Sequence, residues 1–393
     1  MEHYVKLKSK KEVFVLRKHP WVFSGAIGEY PEGLEEGMMV AVLDNKGAQL
    51  ATGHYQEGSI RVRILYHGQE DRPTDFWFTA IQQAYDTRQI ILKSLTATTN
   101  TYRLVHGAGD LLPGLVIDIY NQLAVVQCHS MGMYHERQAI AEALRAVYGE
   151  QLQHIYLRAR KTLPQRFSEE VFDGFLHGNT AEVEVAENGH RFNINAATGQ
   201  KTGFFLDQRD NRSLLAQYAP GKTVLNTFCY TGGFSIYALQ AGAAQVTSVD
   251  ISGKAMELTS NNVELNGFAA EQHRGVTGDV LQFLRKEEES FDIVVVDPPA
   301  YAKSYNKRHR AVQGYKRLNA GAIKRVKPGG LLFTFSCSQV VDRKLFQDTI
   351  VAAGLEAGRS ARVLHQLTQS PDHPVNLFHP EGAYLKGLVL QFD

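Results

Sequence analysis

The chain predicts an α/β fold: a doubly wound parallel sheet over its C-terminal half, preceded by a small β-barrel and a small α+β domain. Two observations carry this. Beyond residue 189, apolar strand-like runs alternate with helix-like segments, the pattern of a parallel sheet covered on both faces. Before residue 70 the apolar runs are short and separated by Gly and Asn/Asp turns, the spacing of a small all-β unit.

In the first block, 1–70, the clearest strands are Met39-Val40-Ala41-Val42-Leu43 and Ile60-Arg61-Val62-Arg63-Ile64-Leu65. Its opening is basic, with Lys6, Lys8, Lys10, Lys11, Arg17, Lys18 and His19 leading into His19-Pro20-Trp21-Val22-Phe23. Such a run is either a solvated edge beside a core aromatic or an RNA-docking arm whose cations contact phosphates. Exposed strands of this barrel could pair with a second copy, giving a homodimer.

The second block, 71–188, predicts a helix over 74–95, strands Leu115-Val116-Ile117-Asp118-Ile119-Tyr120 and Leu123-Ala124-Val125-Val126-Gln127-Cys128, a helix over 135–148, and a strand His154-Ile155-Tyr156-Leu157-Arg158. It shows no catalytic constellation, so packing or substrate positioning is its expected role.

The third block, 189–393, has strands at 223–228, 245–250, 291–297 and 330–335. Ser252 is a predicted N-cap for a helix over 254–265, which Asn266-Gly267 closes. Ligands of such sheets sit beyond the carboxyl ends of the strands, where Asp250, Asp297 and Cys337 fall. After the first strand, Tyr230-Thr231-Gly232-Gly233 lets the backbone approach a ligand, or is simply a tight turn. Asp250 can accept both hydroxyls of a ribose, and Gly278-Asp279 can place a polar group at an adenine edge. This turn lacks the G-x-G-x-x-G of dinucleotide sites, so the expected cofactor is S-adenosylmethionine.

Net charge is only +1, with 44% apolar and 21% charged residues, so a nucleic-acid surface has to come from local clustering. Cys128, Cys229 and Cys337 have no metal-ligand spacing, and no metal site is expected. Sparse thiols fit a reducing compartment, and no apolar stretch approaches a membrane span, which reads as a cytoplasmic protein without a membrane partner. Clustering does occur: from Pro298 to Val341 there is no Asp or Glu, while Lys303, Lys307, Arg308, Arg310, Lys316, Arg317, Lys324, Arg325 and Lys327 all lie there. Tyr301, Tyr305 and Tyr315 interleave with these cations, either to stack on an unpaired base or to pack a helix.

Several motifs are shared with one family. Thr202-Gly203-Phe204-Phe205-Leu206-Asp207-Gln208-Arg209, Phe228-Cys229-Tyr230-Thr231-Gly232-Gly233-Phe234, Val263-Glu264-Leu265-Asn266-Gly267, Asp297-Pro298-Pro299 and Phe335-Ser336-Cys337-Ser338 resemble the RlmI-like 23S ribosomal RNA (cytosine-C5) methyltransferases. His19-Pro20-Trp21-Val22-Phe23 looks like the opening of that family's PUA domain, residues 112–118 like its central domain, and Asp372-His373-Pro374 like its C-terminal segment. The last is either a turn or a substrate-facing loop.

The resemblance implies a class I methyltransferase sheet, S-adenosylmethionine as cofactor and 23S ribosomal RNA as partner. It makes Cys337 the thiolate that adds to carbon 6 of cytosine, with Asp297 stabilising the adduct. Cofactor contacts are expected from Asp207, Gln208, Arg209, Phe228, Tyr230, Thr231, Gly232, Asp250, Asp279 and Asp297, and RNA contacts from Lys18, Lys303, Lys307, Arg308, Arg310, Tyr315 and Lys316. Cys229 and Cys128 read as structural. The chain departs from the pattern at Ala300, where many cytosine-C5 RNA enzymes carry a second cysteine and this family commonly has Lys. Two other readings stand beside this one: methyl transfer to a guanine nitrogen on the same fold, and an RNA-binding or assembly protein without turnover.

Overall fold

The computed structural model describes residues 3–69, 72–95, 97–302 and 304–393. The chain divides into two compact units: Met1–Ala186 with Ile194–Phe204 and Pro371–Gly382, and Glu187–Asn193 with Phe205–Ser370 and Ala383–Asp393. Among the described residues no helix is long and apolar enough to cross a membrane.

The first unit holds two sheets. In the first, six strands run in the order Trp21–Phe23, Ile60–His67, Gln49–Tyr55, Met39–Leu43, Tyr4–Leu7 and Ile27–Glu29. Val22, Val62, Ala51, Val42, Val5 and Ile27, one from each strand, meet in a single core, as the barrel expectation requires. The second sheet orders Gly174–His177, His154–Arg158, Leu123–Cys128, Leu115–Tyr120 and Thr101–His106. Ile117, Val126 and Ile155 on its apolar face pack against Ile81 and Ile140 of helices Phe76–Ile91 and Arg137–Tyr148.

Buried charges hold the second sheet to the 371–382 segment. Arg88 is fully buried and grips both oxygens of Asp110 at 2.5 and 2.7 Å. It also donates to the Asp372 carbonyl at 3.0 Å, while Asp372 Oδ2 accepts from the Arg103 N–H. Asp372 and His373 are 0% and 2% exposed, so of the two expectations for Asp372-His373-Pro374 the buried turn is the one observed.

The second unit is built on seven strands: β1 (Thr223–Thr227), β2 (Gln245–Asp250), β3 (His273–Thr277), β4 (Phe291–Val296), β5 (Val326–Ser336), β6 (Ala361–Leu367) and β7 (Lys386–Phe392). They lie in the order β3-β2-β1-β4-β5-β7-β6. Neighbours from β3 to β5 are parallel, whereas β7 runs antiparallel to both β5 and β6. The sheet is therefore mixed at one edge rather than wholly parallel. Helices α1 (Arg209–Tyr218), α2 (Gly233–Gln240), α3 (Gly253–Leu265), α4 (Val280–Lys286), α5 (Arg308–Ile323) and α6 (Arg343–Ala357) complete it. As expected, Ser252 caps α3 by accepting the Ala255 N–H, and Gly267 closes it at φ +76°. Strand order reverses between β1 and β4, so the loops after these two strands flank the crevice where such sheets bind ligands.

Candidate active site

The loop after β1 is held in a costly shape. Phe228 and Tyr230 have φ of +58° and +50°, and Gly232, the cap of α2, has +78°. Left-handed backbone costs a non-glycine residue about 1–2 kcal/mol, so surrounding bonds must impose it. They do: Asp250 Oδ2 accepts the Tyr230 N–H at 3.1 Å, Thr259 Oγ1 donates to the Tyr230 carbonyl, and Asn262 Nδ2 donates to the Thr231 carbonyl, both at 2.9 Å. At Gly232 a Cβ would come within 2.8 Å of Thr259 Cγ2, so the loop can lie this close to α3 only without a side chain. Asp250 Oδ1 accepts the Ser252 N–H at 2.9 Å, which fixes the whole carboxylate at the end of β2. A strained loop beside a carboxylate oriented by two backbone N–H groups suits a nucleoside whose ribose hydroxyls need an acceptor.

On the other side of the crevice, the half-buried Asp297 follows β4, and its Oδ2 accepts from Gln208 Nε2 at 3.1 Å. Gln208 is itself oriented by Asn211, whose Nδ2 donates to Gln208 Oε1 at 2.6 Å. The loop after β5 is tied to the loop after β4 by Ser338, whose hydroxyl donates to the Ala302 carbonyl at 2.7 Å. Ser336 and Ser338 are buried while Cys337 between them is half-buried. The two serines thus anchor a turn that leaves one thiol accessible. Lys386, only 5% exposed, donates from Nζ to the Ser338 carbonyl at 2.7 Å.

Several expected contacts sit differently. Asp207 and Arg209 are 6% and 1% exposed and are built into the wall: the Asp207 carbonyl accepts from Ser370, and its Oδ2 accepts from Tyr384 at 2.5 Å. Gln208 is buried as well and touches the crevice through Asp297. Asp279 caps α4, accepting the Gln282 N–H at 2.8 Å, and keeps partial exposure. Tyr315, expected against RNA, is fully buried in the core, its ring 4.7 Å from that of Tyr301, and burial pushes its phenol well up. Of the three tyrosines only Tyr305 is open, 73% exposed, with the Arg308 guanidinium 5.8 Å over its ring.

The acid-free run is also more divided than its sequence suggests. Sixteen residues of α5 span about 24 Å, so they carry its cations away from the strand ends. Lys316 pairs with Glu356 at 2.9 Å, and Lys327 with Asp292 at 3.0 Å beside the start of β1. Lys307, Arg308 and Arg310 lie near the amino end of α5, Arg308 with its guanidinium 3.9 Å from Asp342, and Lys303 lies outside the described residues. Lys18, in the first unit, is exposed with φ +63°.

Sequence reasoning did not single out Thr259, Asn262, Asn211 or Lys386. The first two could have been found from their spacing, since positions 259 and 262 share the face of α3 that packs inward. Lys386 gives no such signal; only the pairing of Ser336 with Lys386 reveals it.

Comparison with known proteins fits this geometry. The chain matches an S-adenosylmethionine-dependent methyltransferase family over residues 102–390 and a PUA-like domain over residues 5–67. It is 38% identical to proteins named ribosomal RNA large subunit methyltransferase I from Tolumonas auensis and Aeromonas salmonicida, with 100% of each chain covered. A candidate methyltransferase of Streptococcus mutans has the same fold, with a TM-score of 0.84 at 23% identity over 99% of both chains. A second solved chain, a candidate methyltransferase complexed with S-adenosylhomocysteine, gives 0.85 at 23% identity and the same coverage. The chain belongs to the S-adenosylmethionine-dependent methyltransferase family, in the group whose curated members are named ribosomal RNA large subunit methyltransferase I.

Proposed function

We propose that the protein methylates carbon 5 of a cytosine in 23S ribosomal RNA, in the cytoplasm, through a covalent bond between Cys337 and carbon 6. The observation that carries this reading is the half-buried Cys337 thiol, held on a serine-anchored turn that Ser338 ties to the Asp297 loop. When bound, S-adenosylmethionine supplies the methyl group as a sulfonium. Its ribose would be held by Asp250, with the Phe228–Gly232 loop closing over it and Asp279 at the adenine edge.

Carbon 5 of cytosine is a weak nucleophile. Addition of the Cys337 thiolate to carbon 6 moves the ring's π pair toward carbon 5 and makes it enamine-like. Asp297, oriented by Gln208 and Asn211, would hydrogen-bond the ring and hold it over the thiol. After transfer a base takes the carbon-5 proton and the carbon–sulfur bond breaks. Ala300 places neither a second thiol nor an ammonium beside Asp297.

Residues 1–70 would dock RNA, with Lys18 among the phosphate contacts, 71–188 would position it, and 189–393 would carry the transfer. At the amino end of α5, Lys307, Arg308 and Arg310 are the cations placed to neutralise phosphates near the base. Bisulfite sequencing of ribosomal RNA from a deletion strain tests this: one 5-methylcytosine should disappear from 23S RNA, and an unchanged pattern would reject the reading.

A further inference from the structure

We propose that Lys386 is a positioning residue for Cys337, its buried ammonium holding the thiol as the thiolate. The inference rests on the reading of Cys337 as nucleophile. It begins with the sheet: β7 runs antiparallel to β5 with Ser336 opposite Lys386, which places this lysine beside the turn that carries the thiol. Its side chain is almost sealed, and among the described residues its ammonium makes one hydrogen bond, to the Ser338 carbonyl, and no carboxylate ion pair. A buried ammonium with two N–H groups left over is costly unless an anion stands near.

The charged groups around it narrow the choice. Arg343, in the first turn of α6, opposes its charge, Asp342 at the cap of the same helix supports it, and Cys337 supports it more than Asp342 does. Asp342 is itself exposed, its carboxylate capping α6 by accepting the Leu345 N–H. The Cys337 thiolate is therefore the anion this arrangement suits best. Burial draws the Lys386 amine down to about 8, which still leaves it mostly protonated at neutral pH.

A cation beside a thiol lowers its pKa, by about one to three units for an opposite charge within contact range. In the step this serves, the Cys337 proton leaves to water and sulfur forms its bond to carbon 6. The carbon 5–carbon 6 π pair moves onto carbon 5. Lys386 keeps its proton throughout. On release the carbon–sulfur pair returns to sulfur beside the same ammonium.

The test reads the thiol rather than turnover. Cys128 and Cys229 are buried, and burial pushes both thiols up to about 12, so alkylation of the full-length protein by iodoacetamide reports Cys337. Lys386→Gln keeps a donor for the Ser338 carbonyl and removes the charge. It should raise the pH midpoint of alkylation by about one unit or more, a roughly tenfold slower reaction at pH 7, while Lys386→Arg stays near wild type. Lys386→Met, of similar length and uncharged, repeats the measurement should the amide unsettle the fold. An unchanged midpoint in the neutral variants overturns the proposal. Failure of the covalent reading would show separately, as full turnover by Cys337→Ala.

Discussion

Cys229 and Cys337 each follow a strand of the same sheet, two loops on the same side of it, yet their surroundings are opposite. Cys229 is sealed, its Sγ 3.5 Å from Met256 Sδ and 3.7 Å from Thr259 Oγ1, and burial pushes its thiol up to about 12. Cys337 is half-buried on a turn pinned by Ser338, whose carbonyl accepts from the Lys386 ammonium. A strand-end cysteine is thus not reactive by position. In the proposed mechanism, access and the Lys386 ammonium set the two apart, because the thiolate is the nucleophile and apolar burial suppresses it.

Removing each thiol in turn should have the largest and most unequal effects. Cys337→Ala should lower methyl transfer to RNA by roughly 10³-fold or more while the protein stays folded. Cys229→Ala should keep turnover within about threefold and lose about 1 kcal/mol of stability, read from a urea midpoint, since a small buried side chain is truncated. Equal losses of activity would erase the distinction.

A smaller effect belongs to the cofactor side of the crevice. Asp250→Ala should weaken S-adenosylmethionine binding by about 10- to 100-fold in calorimetry, because hydrogen bonds to a charged acceptor contribute about 1.5–3 kcal/mol. It should also loosen the loop, since the Tyr230 N–H loses its acceptor. Gly232→Ala should cost about 1–2 kcal/mol of stability, from its positive φ and from the Thr259 methyl that a Cβ would meet at 2.8 Å.

The smallest effect lies at the amino end of the central strands β1, β4 and β5 and leaves the thiol untouched. Burial works against the charge of Asp292, but hydrogen bonds from the Thr223 N–H and the Lys327 ammonium outweigh it and hold the carboxyl at about 2. The unfolded carboxyl titrates near about 3.9, so the unfolded chain binds the extra proton first as pH falls. Stability from this group is complete above about pH 5 and is lost progressively as pH falls through 2. Urea unfolding between pH 5 and 2 should show that loss, and Asp292→Asn should lack this part of it.

Much of the fold was legible because the strongest signals are local. Leu115–Tyr120, Leu123–Cys128, His154–Arg158 and Gln245–Asp250 are apolar runs bounded by turn residues, and the structure forms them at the expected bounds. Ser252 and Asn266-Gly267 marked α3 through capping chemistry. The antiparallel edge was not legible: β6 is largely exposed and carries Arg362 and His365, so it lacks an apolar run. Distribution of charge was equally hidden, because the acid-free stretch divides between α5, where Lys316 meets Glu356, and the start of β5, where Lys327 meets Asp292. Tyr315 looked like a stacking aromatic among cations, but at the inward face of α5 it is core. Lys386, one of 42 basic residues, acquires meaning only from the strand opposite it.

In the proposed mechanism Cys337, and neither other cysteine, forms the bond to the base. The direct test incubates the full-length protein with S-adenosylmethionine and 5-fluorocytosine-containing ribosomal RNA transcripts, where fluorine blocks release of the base. A denaturation-resistant protein–RNA adduct should form with wild type and with Cys229→Ala and be absent with Cys337→Ala. An adduct that survives in Cys337→Ala, or none with an active wild-type enzyme, would contradict the account.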